Sequence, residues 1–243
     1  WVEDFTLAEL KTLRAKERLP QLRPANTAFD GQEQIPTFAE ALALSQQHGI
    51  GIYPELKHPT FLKNAGLDPV PVFVEAVHAG GGQRAADKMW VQCFEVGALV
   101  QLASMSSIRW RQIQLMSAEG GPADQQRTYA DMITDAGLRA IREYAMGIGV
   151  EKAMIIPRDG QNHSLAPTDL IPRAHAAGLK VHAWTFRAEN FFLPTELRRG
   201  DASAPDYMRQ HGDITQELRA FYAAGVDGVF CDFPGLAVAA RRA

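Results

Sequence analysis

The sequence predicts an α/β fold with parallel strands, on the basis of three observations. From residue 50 onwards, short apolar runs alternate with segments of helical character, and such alternation implies parallel strands joined by right-handed crossovers. No glycine-rich phosphate loop follows these runs, which disfavours a dinucleotide-binding sheet. Polar residues recur instead where several different strands end, as they do in barrel enzymes. An open doubly wound sheet and a closed barrel are therefore the alternatives, and the polar strand ends favour the barrel.

The N-terminal part of the chain predicts two helices separated by a loop. The first helix is expected over residues 5–18 and the second over residues 38–47. Thr6 and Thr37 each precede a glutamate by three residues, which is the signature of a capping box at a helix N-terminus. Residues 19–36 are rich in Pro, Gly and Gln, and we expect a loop there.

Six strands, each followed by a helix, are expected in the rest of the chain. The strands are expected over residues 50–56, 89–94, 109–116, 152–156, 180–186 and 228–232. The helices are expected over residues 69–79, 96–104, 138–146, 168–177, 214–224 and 236–242. Four glycines are expected to end helices in the left-handed conformation, namely Gly49, Gly149, Gly178 and Gly225. No linker interrupts this pattern, so residues 1–243 are expected to form one domain.

The composition is that of a soluble globular protein. The chain has 243 residues, of which 46% are hydrophobic and 22% are charged, and its net charge is −3. No basic block or stripe is present, which argues against a nucleic-acid partner. No apolar run reaches the length of about 18 residues that a membrane span needs, so we expect no stable membrane insertion. Cys93 and Cys231 both lie in apolar segments, and we expect them to be free, buried thiols.

The segment from Tyr53 to Thr60 carries the clearest chemical signal. Glu55 and Lys57 lie two residues apart at the end of an expected strand, so both side chains should project to the same face. A carboxylate beside an ammonium group at the mouth of a strand can hold a divalent cation and a phosphate together. A surface ion pair is the alternative interpretation of this spacing.

Other strand ends supply further candidates. Gln92 could donate a hydrogen bond to a substrate, and Trp184 could form a wall of its pocket. The alternatives are that Gln92 satisfies loop backbone and that Phe94 and Trp184 belong to the core. Asp232 could cap the turn into the last helix. The same strand ends also carry Gln112, Gln114 and His182.

Six collinear segments resemble the glycerophosphodiester phosphodiesterases, most closely the bacterial periplasmic type. These segments are residues 4–13, 35–38, 53–59, 91–95, 182–190 and 228–234. The resemblance implies a (β/α)8 TIM barrel with an insertion after its second strand, to which residues 1–36 would belong. The six expected strands would then be strands three to eight, and the first two strands would be absent from these 243 residues.

The resemblance also implies a function and roles for individual residues. The implied reaction is metal-dependent hydrolysis of a small glycerophosphodiester to glycerol 3-phosphate and an alcohol, in the periplasm, by a protein that could be a homodimer. Glu55 matches a ligand of Ca²⁺ or Mg²⁺, and Lys57 matches a catalytic lysine that faces the substrate. Gln92, Phe94 and Trp184 match positions that line the substrate pocket.

The chain departs from the family pattern at its N-terminal end. A His-Arg pair, a Glu-x-Asp metal motif and a His-Asp pair are typical of the family, and none matches a segment of this sequence. We therefore expect that an N-terminal segment of the parent protein is missing and that this chain alone is inactive. One alternative is an incomplete barrel that acts as a binding protein. Another is a related phospholipase D-like barrel that acts on lysophospholipid or sphingomyelin, which would need an exposed apolar rim that residues 198–213 do not resemble.

Overall fold

The computed structural model describes residues 1–105 and 107–242, and at its centre is a five-stranded parallel sheet. The strands are β1 (Val91–Cys93), β2 (Gln112–Met116), β3 (Gly147–Glu151), β4 (Lys180–Phe186) and β5 (Gly228–Cys231). They pair in chain order, β1-β2-β3-β4-β5, and every pair is parallel. The predicted α/β class is therefore confirmed as a parallel half-barrel, while a closed barrel of eight strands stays a prediction.

The first expected strand lies beside β1 but is not a regular strand. Parallel bridges join Ile52 and Glu55 to the chain in and around β1. Pro54 lies between these bridges and has no N–H group, so the ladder is interrupted at its position. Residues 52–56, which we call the edge segment, nevertheless continue the order of the sheet, and they bring Glu55 to the same rim as the ends of the other strands.

Helices follow the strands, and most of them pack on the outer face of the sheet, which is the arrangement that parallel crossovers require, although the first helix buries none of its residues. They are α1 (Leu7–Leu10), α2 (Phe38–His48), α3 (Pro59–Asn64), α4 (Pro69–Ala79), α5 (Gln83–Ala86), α6 (Val96–Met105), α7 (Tyr129–Met132), α8 (Asp135–Arg142), α9 (Leu170–Ala176), α10 (Ile214–Ala224) and α11 (Pro234–Arg242). Of these, α3, α5 and α7 were not predicted. Each of the three is at most six residues long, too short for a recognisable helical period.

The prediction of a helix over residues 5–18 is wrong beyond its first turn. The capping box is present, because Thr6 accepts a hydrogen bond from the backbone N–H of Glu9. The helix nevertheless ends at Leu10, and none of its residues is buried. A helix of this length is unstable in water unless it buries an apolar face, and this one has no face to bury. The chain continues instead as a loop that contains a 3₁₀ helix over Pro24–Phe29 and then reaches α2.

The third regular strand was placed five residues too late in the sequence. Residues 152–154 form a 3₁₀ turn, and β3 precedes them. Gly149 was expected at a turn after a helix, but here Gly147 and Gly149 both allow neighbouring strands to approach closely. A Cβ atom at position 147 would lie 2.6 Å from the carbonyl oxygen of Lys180, which pairs with it across the sheet. The glycines are thus part of the sheet because only glycine fits there.

Three of the four predicted left-handed helix ends are confirmed. Gly49, Gly178 and Gly225 have φ angles of 66°, 77° and 100°. Gly149 does not end a helix, since it lies within β3. The helix before it, α8, ends at Arg142 rather than at residue 146.

Strand β4 contains an irregularity that changes which side chains face inward. Three steps along β4, from Ala183 to Phe186, correspond to two steps along β5. One extra residue is therefore accommodated in β4 as a bulge. As a result, Phe186 points outward and packs edge-on against Phe221 of α10, with ring centroids 4.8 Å apart.

Four aromatic side chains close the inner, concave side of the sheet below the strand ends. Tyr53 of the edge segment and Phe230 of β5 meet edge to face at 4.7 Å, so the two edges of the half-barrel touch. The hydroxyl group of Tyr53 lies 2.8 Å from Nδ1 of His182, and Trp90 packs edge-on against the same imidazole at 5.2 Å. We call these four residues the aromatic floor. Burial raises the pKa of Tyr53 and lowers that of His182.

Two further sequence expectations concern the thiols and the membrane. Both cysteines are free; Cys93 is buried as expected, whereas Cys231 is only half-buried. Within residues 1–105 and 107–242, no helix has the length and apolar character that crossing a bilayer requires.

Candidate functional site

A cavity of about 400 Å³ opens where the parallel strands end. We call it the mouth cavity. All five residues that the sequence nominated for the site line it, namely Glu55, Lys57, Gln92, Phe94 and Trp184. The remaining lining residues are Arg18, Leu115, Thr185, Arg187 and Phe230. The structure thus brings the predicted residues together on one concave surface, and their chemical roles stay predictions.

Glu55 and Lys57 project to the same side of the edge segment, as the spacing predicted. The Nζ atom of Lys57 lies 3.3 Å from Oε1 of Glu55, and their side chains are 63% and 26% exposed. A pair that is this long and this exposed contributes little to stability. The ammonium group is therefore free to turn from the carboxylate towards a ligand in the cavity.

Gln92 lies at the back of the mouth cavity and is only 8% exposed. Its amide oxygen is buried without a hydrogen-bond partner. An unsatisfied buried acceptor costs about 1 to 3 kcal/mol, so a hydroxyl group that donates to it would be bound favourably. The alternative in which this oxygen satisfies loop backbone is not observed.

Phe94 and Trp184 form an aromatic wall of the cavity. Their rings meet edge to face with centroids 6.0 Å apart, and both residues are half-buried. The indole N–H of Trp184 donates to the carbonyl oxygen of Gly149 at 3.1 Å, which fixes the ring against β3. Both rings are therefore partly available to a ligand rather than sealed in the core.

Two arginines that line the cavity were not expected there from the sequence. Arg187 follows the bulge in β4, and Arg18 comes from the loop between α1 and α2. With Lys57 they place three cations around the cavity, whereas Glu55 is the single carboxylate among its lining residues. A sequence signal existed for Arg187, which lies in one of the six family-like segments. Arg18 gave none, because its segment was expected to be helical.

The sequence suggested that Asp232 caps the last helix, but in the structure its carboxylate binds two arginine side chains instead. Its carboxylate accepts hydrogen bonds from Arg23 at 2.7 Å and from Arg187 at 2.9 Å. Partial burial opposes its ionisation, but the two guanidinium groups outweigh this effect and hold the pKa of Asp232 below its ordinary value of 3.8. Arg23 also reaches Glu189, a fully buried carboxylate, at 2.5 Å. These four residues form an ion network beside the mouth cavity.

Gln112 and Gln114 lie outside the site because they face the helical layer. The register of β2 turns Leu115 into the cavity, so the residues on either side of it point the other way. Gln112 donates to the carbonyl oxygen of Tyr144, and Gln114 accepts from the hydroxyl group of the same tyrosine at 2.9 Å. His182 belongs to the aromatic floor rather than to the cavity lining.

The described residues do not by themselves fit a complete metal site. No group of three or more His, Cys, Asp or Glu side chains that could hold an ion occurs within residues 1–105 and 107–242. Ca²⁺ takes about six to eight oxygen ligands and Mg²⁺ about six, and Glu55 offers one carboxylate. Asp232 lies nearby, but its carboxylate is already bound by two arginines.

Solved structures with a similar fold cover nearly the whole chain. A protein from Silicibacter pomeroyi DSS-3, assigned to the glycerophosphoryl diester phosphodiesterases, matches with a TM-score of 0.65 and 16% identity, over 97% of this chain and 67% of its own. A glycerophosphodiester phosphodiesterase from Agrobacterium tumefaciens C58 matches with a TM-score of 0.56 and 16% identity, over 96% of this chain and 71% of its own. At such low identity these likenesses show the TIM-barrel type of fold alone.

Sequence relatives give the family. Glycerophosphodiester phosphodiesterase GDPD6 of Arabidopsis thaliana is 33% identical over 96% of this chain, which spans 62% of that relative. A glycerophosphodiester phosphodiesterase of Treponema pallidum is 25% identical over 98% of this chain and 70% of its own length. The family model for the glycerophosphoryl diester phosphodiesterases matches residues 1–236. The resemblance predicted from the sequence is thereby confirmed, and this chain belongs to the glycerophosphoryl diester phosphodiesterase family.

Proposed function

We propose that this chain provides the substrate-binding and charge-stabilising part of an enzyme that hydrolyses glycerophosphodiesters to glycerol 3-phosphate and an alcohol. The observation that carries this proposal is the mouth cavity, where Lys57, Arg18 and Arg187 surround one carboxylate at the ends of parallel strands. A phosphodiester is a monoanion, and a cationic cavity at this position suits it. Membership of the family and the names of its relatives give further support.

Lys57 is the proposed catalytic residue because of the charge that the reaction develops. An oxygen nucleophile attacks phosphorus, the bond between phosphorus and the alcohol oxygen breaks, and the departing alcohol takes up a proton. Negative charge accumulates meanwhile on the non-bridging phosphate oxygens. An ammonium group stabilises it as a mobile point charge. Water and a neighbouring glycerol hydroxyl group, through a cyclic phosphate, are both compatible nucleophiles, and we assign no proton-transfer role to the residues of this cavity.

The neutral residues of the cavity would orient the two alcohol parts of the substrate. The free amide oxygen of Gln92 would accept a hydrogen bond from a glycerol hydroxyl group. Phe94 and Trp184 would pack against the carbon skeleton. Orientation of this kind lowers the entropic cost of reaching the transition state.

A Ca²⁺ or Mg²⁺ ion is part of the proposal because of the family resemblance. Glu55 would be one of its ligands, and the ion when bound would polarise a phosphate oxygen. Among the described residues that line the cavity, Glu55 is the one carboxylate that could hold it. Periplasmic localisation and a homodimer are likewise proposals that depend on the resemblance.

A second candidate substrate is a lysophospholipid, and one surface feature favours it. An apolar groove of about 530 Å³ adjoins Lys57 and is lined by Trp1, Val2, Phe61 and Leu62 among others. A groove of this character beside the phosphate site could hold an acyl chain. Comparing lysophosphatidylcholine with glycerophosphocholine as substrates distinguishes the two: a higher kcat/KM for the lipid would favour the second candidate.

Replacing Lys57 tests the proposed function. We expect Lys57→Ala in the full-length protein to lower kcat by about 10²- to 10³-fold, because a charge that stabilises the transition state is lost. The rate is measured as the release of glycerol 3-phosphate from glycerophosphoethanolamine, which a coupled dehydrogenase assay detects. Lys63→Ala is the matched control, since Lys63 pairs with Asp68 away from the cavity. An unchanged kcat together with a lowered Tm would instead indicate that Lys57 only stabilises the fold.

Replacing Glu55 tests the proposed metal ligand. We expect Glu55→Gln to raise the concentration of Ca²⁺ or Mg²⁺ that gives half-maximal activity by about 10- to 100-fold. Removing a residue that only hydrogen-bonds to a metal ligand already lowers metal affinity by this factor, and removing the ligand itself should lower it at least as much. Titration in chelator-controlled buffers measures this concentration. Terbium luminescence sensitised by Trp184 gives a second readout that does not depend on turnover. Identical titration curves for the variant and the wild type would contradict the ligand role.

A further inference from the structure

The loop between α1 and α2 contributes to the mouth cavity although it belongs to no strand. We call residues 11–37 the strap. Its N-terminal end is fixed to α2 by an ion pair between Lys11 and Glu40 at 2.5 Å. Further along, Arg14 and Gln34 form an antiparallel bridge within the strap. The strap is therefore an ordered, self-supporting loop rather than a free linker.

The backbone on both sides of Arg18 is held by one small polar network. The N–H group of Glu17 donates to Asp30 at 2.7 Å, and the N–H group of Leu19 donates to the carboxylate of Glu17 at 2.7 Å. Asn26 donates to the second oxygen of that carboxylate, also at 2.7 Å. Because residues 17 and 19 are both bound, the direction in which Arg18 leaves the chain is fixed.

Arg23 fixes the strap to the sheet. Its guanidinium group bridges Glu189, which follows β4, and Asp232, which follows β5, at 2.5 Å and 2.7 Å. Glu189 is fully buried, with a side chain only 1% exposed. A buried carboxylate of this kind needs its partner, since removing one member of a buried pair is strongly unfavourable. The position of the strap therefore depends on Arg23.

Arg18 differs in one respect from the other two cations of the cavity. Lys57 lies beside Glu55, and Arg187 donates to Asp232. Arg18 has neither a hydrogen bond nor an ion pair from its side chain to any residue that the structure describes. It is thus the cavity-lining cation whose charge no described neighbour offsets, and its charge matches the single negative charge of a phosphodiester.

We infer that Arg18 is a substrate-binding residue that contacts the phosphate group in the mouth cavity, and that Arg23 is a positioning residue that acts through Arg18. This inference rests on the proposed function. A guanidinium group can bind two phosphate oxygens through two parallel N–H groups held in one plane, a geometry that the single nitrogen of lysine does not offer. The contact is available to the bound substrate as well as to the transition state, so its loss should affect KM more than kcat.

The first experiment compares variants of Arg18 in the full-length protein. Arg18→Ala should raise KM for glycerophosphoethanolamine, and the Kd for sn-glycerol 3-phosphate and inorganic phosphate, by about 10- to 100-fold. Added guanidinium ion, but not equal sodium chloride, should restore part of this affinity. Lys16→Ala is the matched control, because it removes the same charge two residues away on an exposed part of the strap. Equal effects of both variants on KM and Kd would overturn the inference.

The second experiment tests whether Arg23 acts through Arg18. Arg23→Gln should raise KM in the same direction and expose the strap to trypsin. The double variant Arg18→Ala/Arg23→Gln should then have the KM of Arg18→Ala alone, since residues that act as a unit are not additive. Fully additive effects would overturn the positioning role.

The binding measurements separate failure of this inference from failure of the proposed function. If the wild-type protein hydrolyses no phosphodiester but loses phosphate affinity on Arg18→Ala, the function is wrong and the anion site stands. If it turns over glycerophosphodiesters but Arg18→Ala changes neither KM nor Kd, the function stands and the role of Arg18 is wrong.

Discussion

Asp232 illustrates how the environment of one residue decides between two roles that a sequence allows. An aspartate before an aromatic residue and a proline could cap a helix, and its position at the end of an expected strand also made it a candidate for the site. In the structure, two arginines from distant parts of the chain converge on this carboxylate. Arg23 and Arg187 lie 209 and 45 residues from Asp232 in the sequence, so these contacts leave no local sequence pattern.

The stability that Asp232 confers should depend on pH. The pKa of Asp232 is lower in the folded protein than its ordinary value of 3.8. Its contribution to the free energy of unfolding is therefore fully present above a pH of about 3.8, and it is lost as the pH falls through the pKa of the folded protein. We expect Asp232→Asn to lower the free energy of unfolding by about 1 to 2 kcal/mol at pH 7, and by progressively less below pH 4. Urea unfolding of both proteins between pH 3 and pH 7 measures this difference.

The control for this prediction is Asp169→Asn. Asp169 forms a longer, exposed ion pair with Arg173 at 3.4 Å, so its loss should have little effect at any pH. If the effect of Asp232→Asn stayed constant down to pH 3, the two arginines would not be the source of its contribution.

At the scale of elements, β3 depends on glycine for close packing between strands. Gly147→Ala would bring a methyl group to 2.6 Å from a carbonyl oxygen of β4, and backbone atoms cannot move aside cheaply. We expect a loss of about 1 to 3 kcal/mol in the free energy of unfolding, as for other overpacked sites. Denaturant titration measures it.

Gly160→Ala is the matched control for this substitution. No heavy atom lies within 4 Å of a Cβ built at position 160, and its φ angle is not in the left-handed region. We therefore expect the same chemical change to be nearly neutral there. A comparable loss at both positions would mean that chain flexibility rather than packing sets the cost.

The elements that the sequence predicted well are those whose signals are local. The capping boxes at Thr6 and Thr37 and the glycines that end α2, α9 and α10 were all found, because each depends on residues within one turn. The length of the first helix was wrong, since it depends on whether a tertiary partner buries its face. The position of β3 was wrong for a similar reason: its glycines are explained by the neighbouring strand.

The residues of the candidate site also fall into those that local sequence signals mark and those that only the tertiary structure places. Glu55, Lys57, Gln92, Phe94 and Trp184 were found because strand ends and family-like segments mark them. Arg18 was missed, because it enters the cavity only through the fold of the strap and its attachment by Arg23. Gln112 and Gln114 were grouped with the polar strand ends but lie outside the site, because the sheet register decides which side chains of β2 face the cavity.

At the scale of the whole molecule, charge is distributed unevenly. The chain carries a net charge of −3, yet three of the four charged residues that line the mouth cavity are cations. A concave cationic surface on an acidic protein concentrates field lines and attracts small anions to that point. Binding of the substrate should accordingly be weakened by salt, which screens such interactions beyond about 8 Å at physiological ionic strength.

The half-barrel is also held together across its open side. Tyr53 and Phe230 come from the two edges of the sheet and touch at 4.7 Å, while His182 links to Tyr53 from between them. The aromatic floor thereby gives the cavity a closed base that does not depend on the loops at the rim. Loops can then vary in sequence without changing the depth of the site.

The bulge in β4 has a consequence for engineering this scaffold. It lets Trp184 and Thr185 both reach the cavity while Phe186 stays in the outer core. Removing that one extra residue would reverse which side chains of the remaining strand face the cavity and which face the helices. The ring of Phe186 would then enter the cavity, and Arg187 would point towards the helices. Chimaeras between relatives should therefore place their crossover points outside residues 183–187, so that this stretch is inherited whole from one parent.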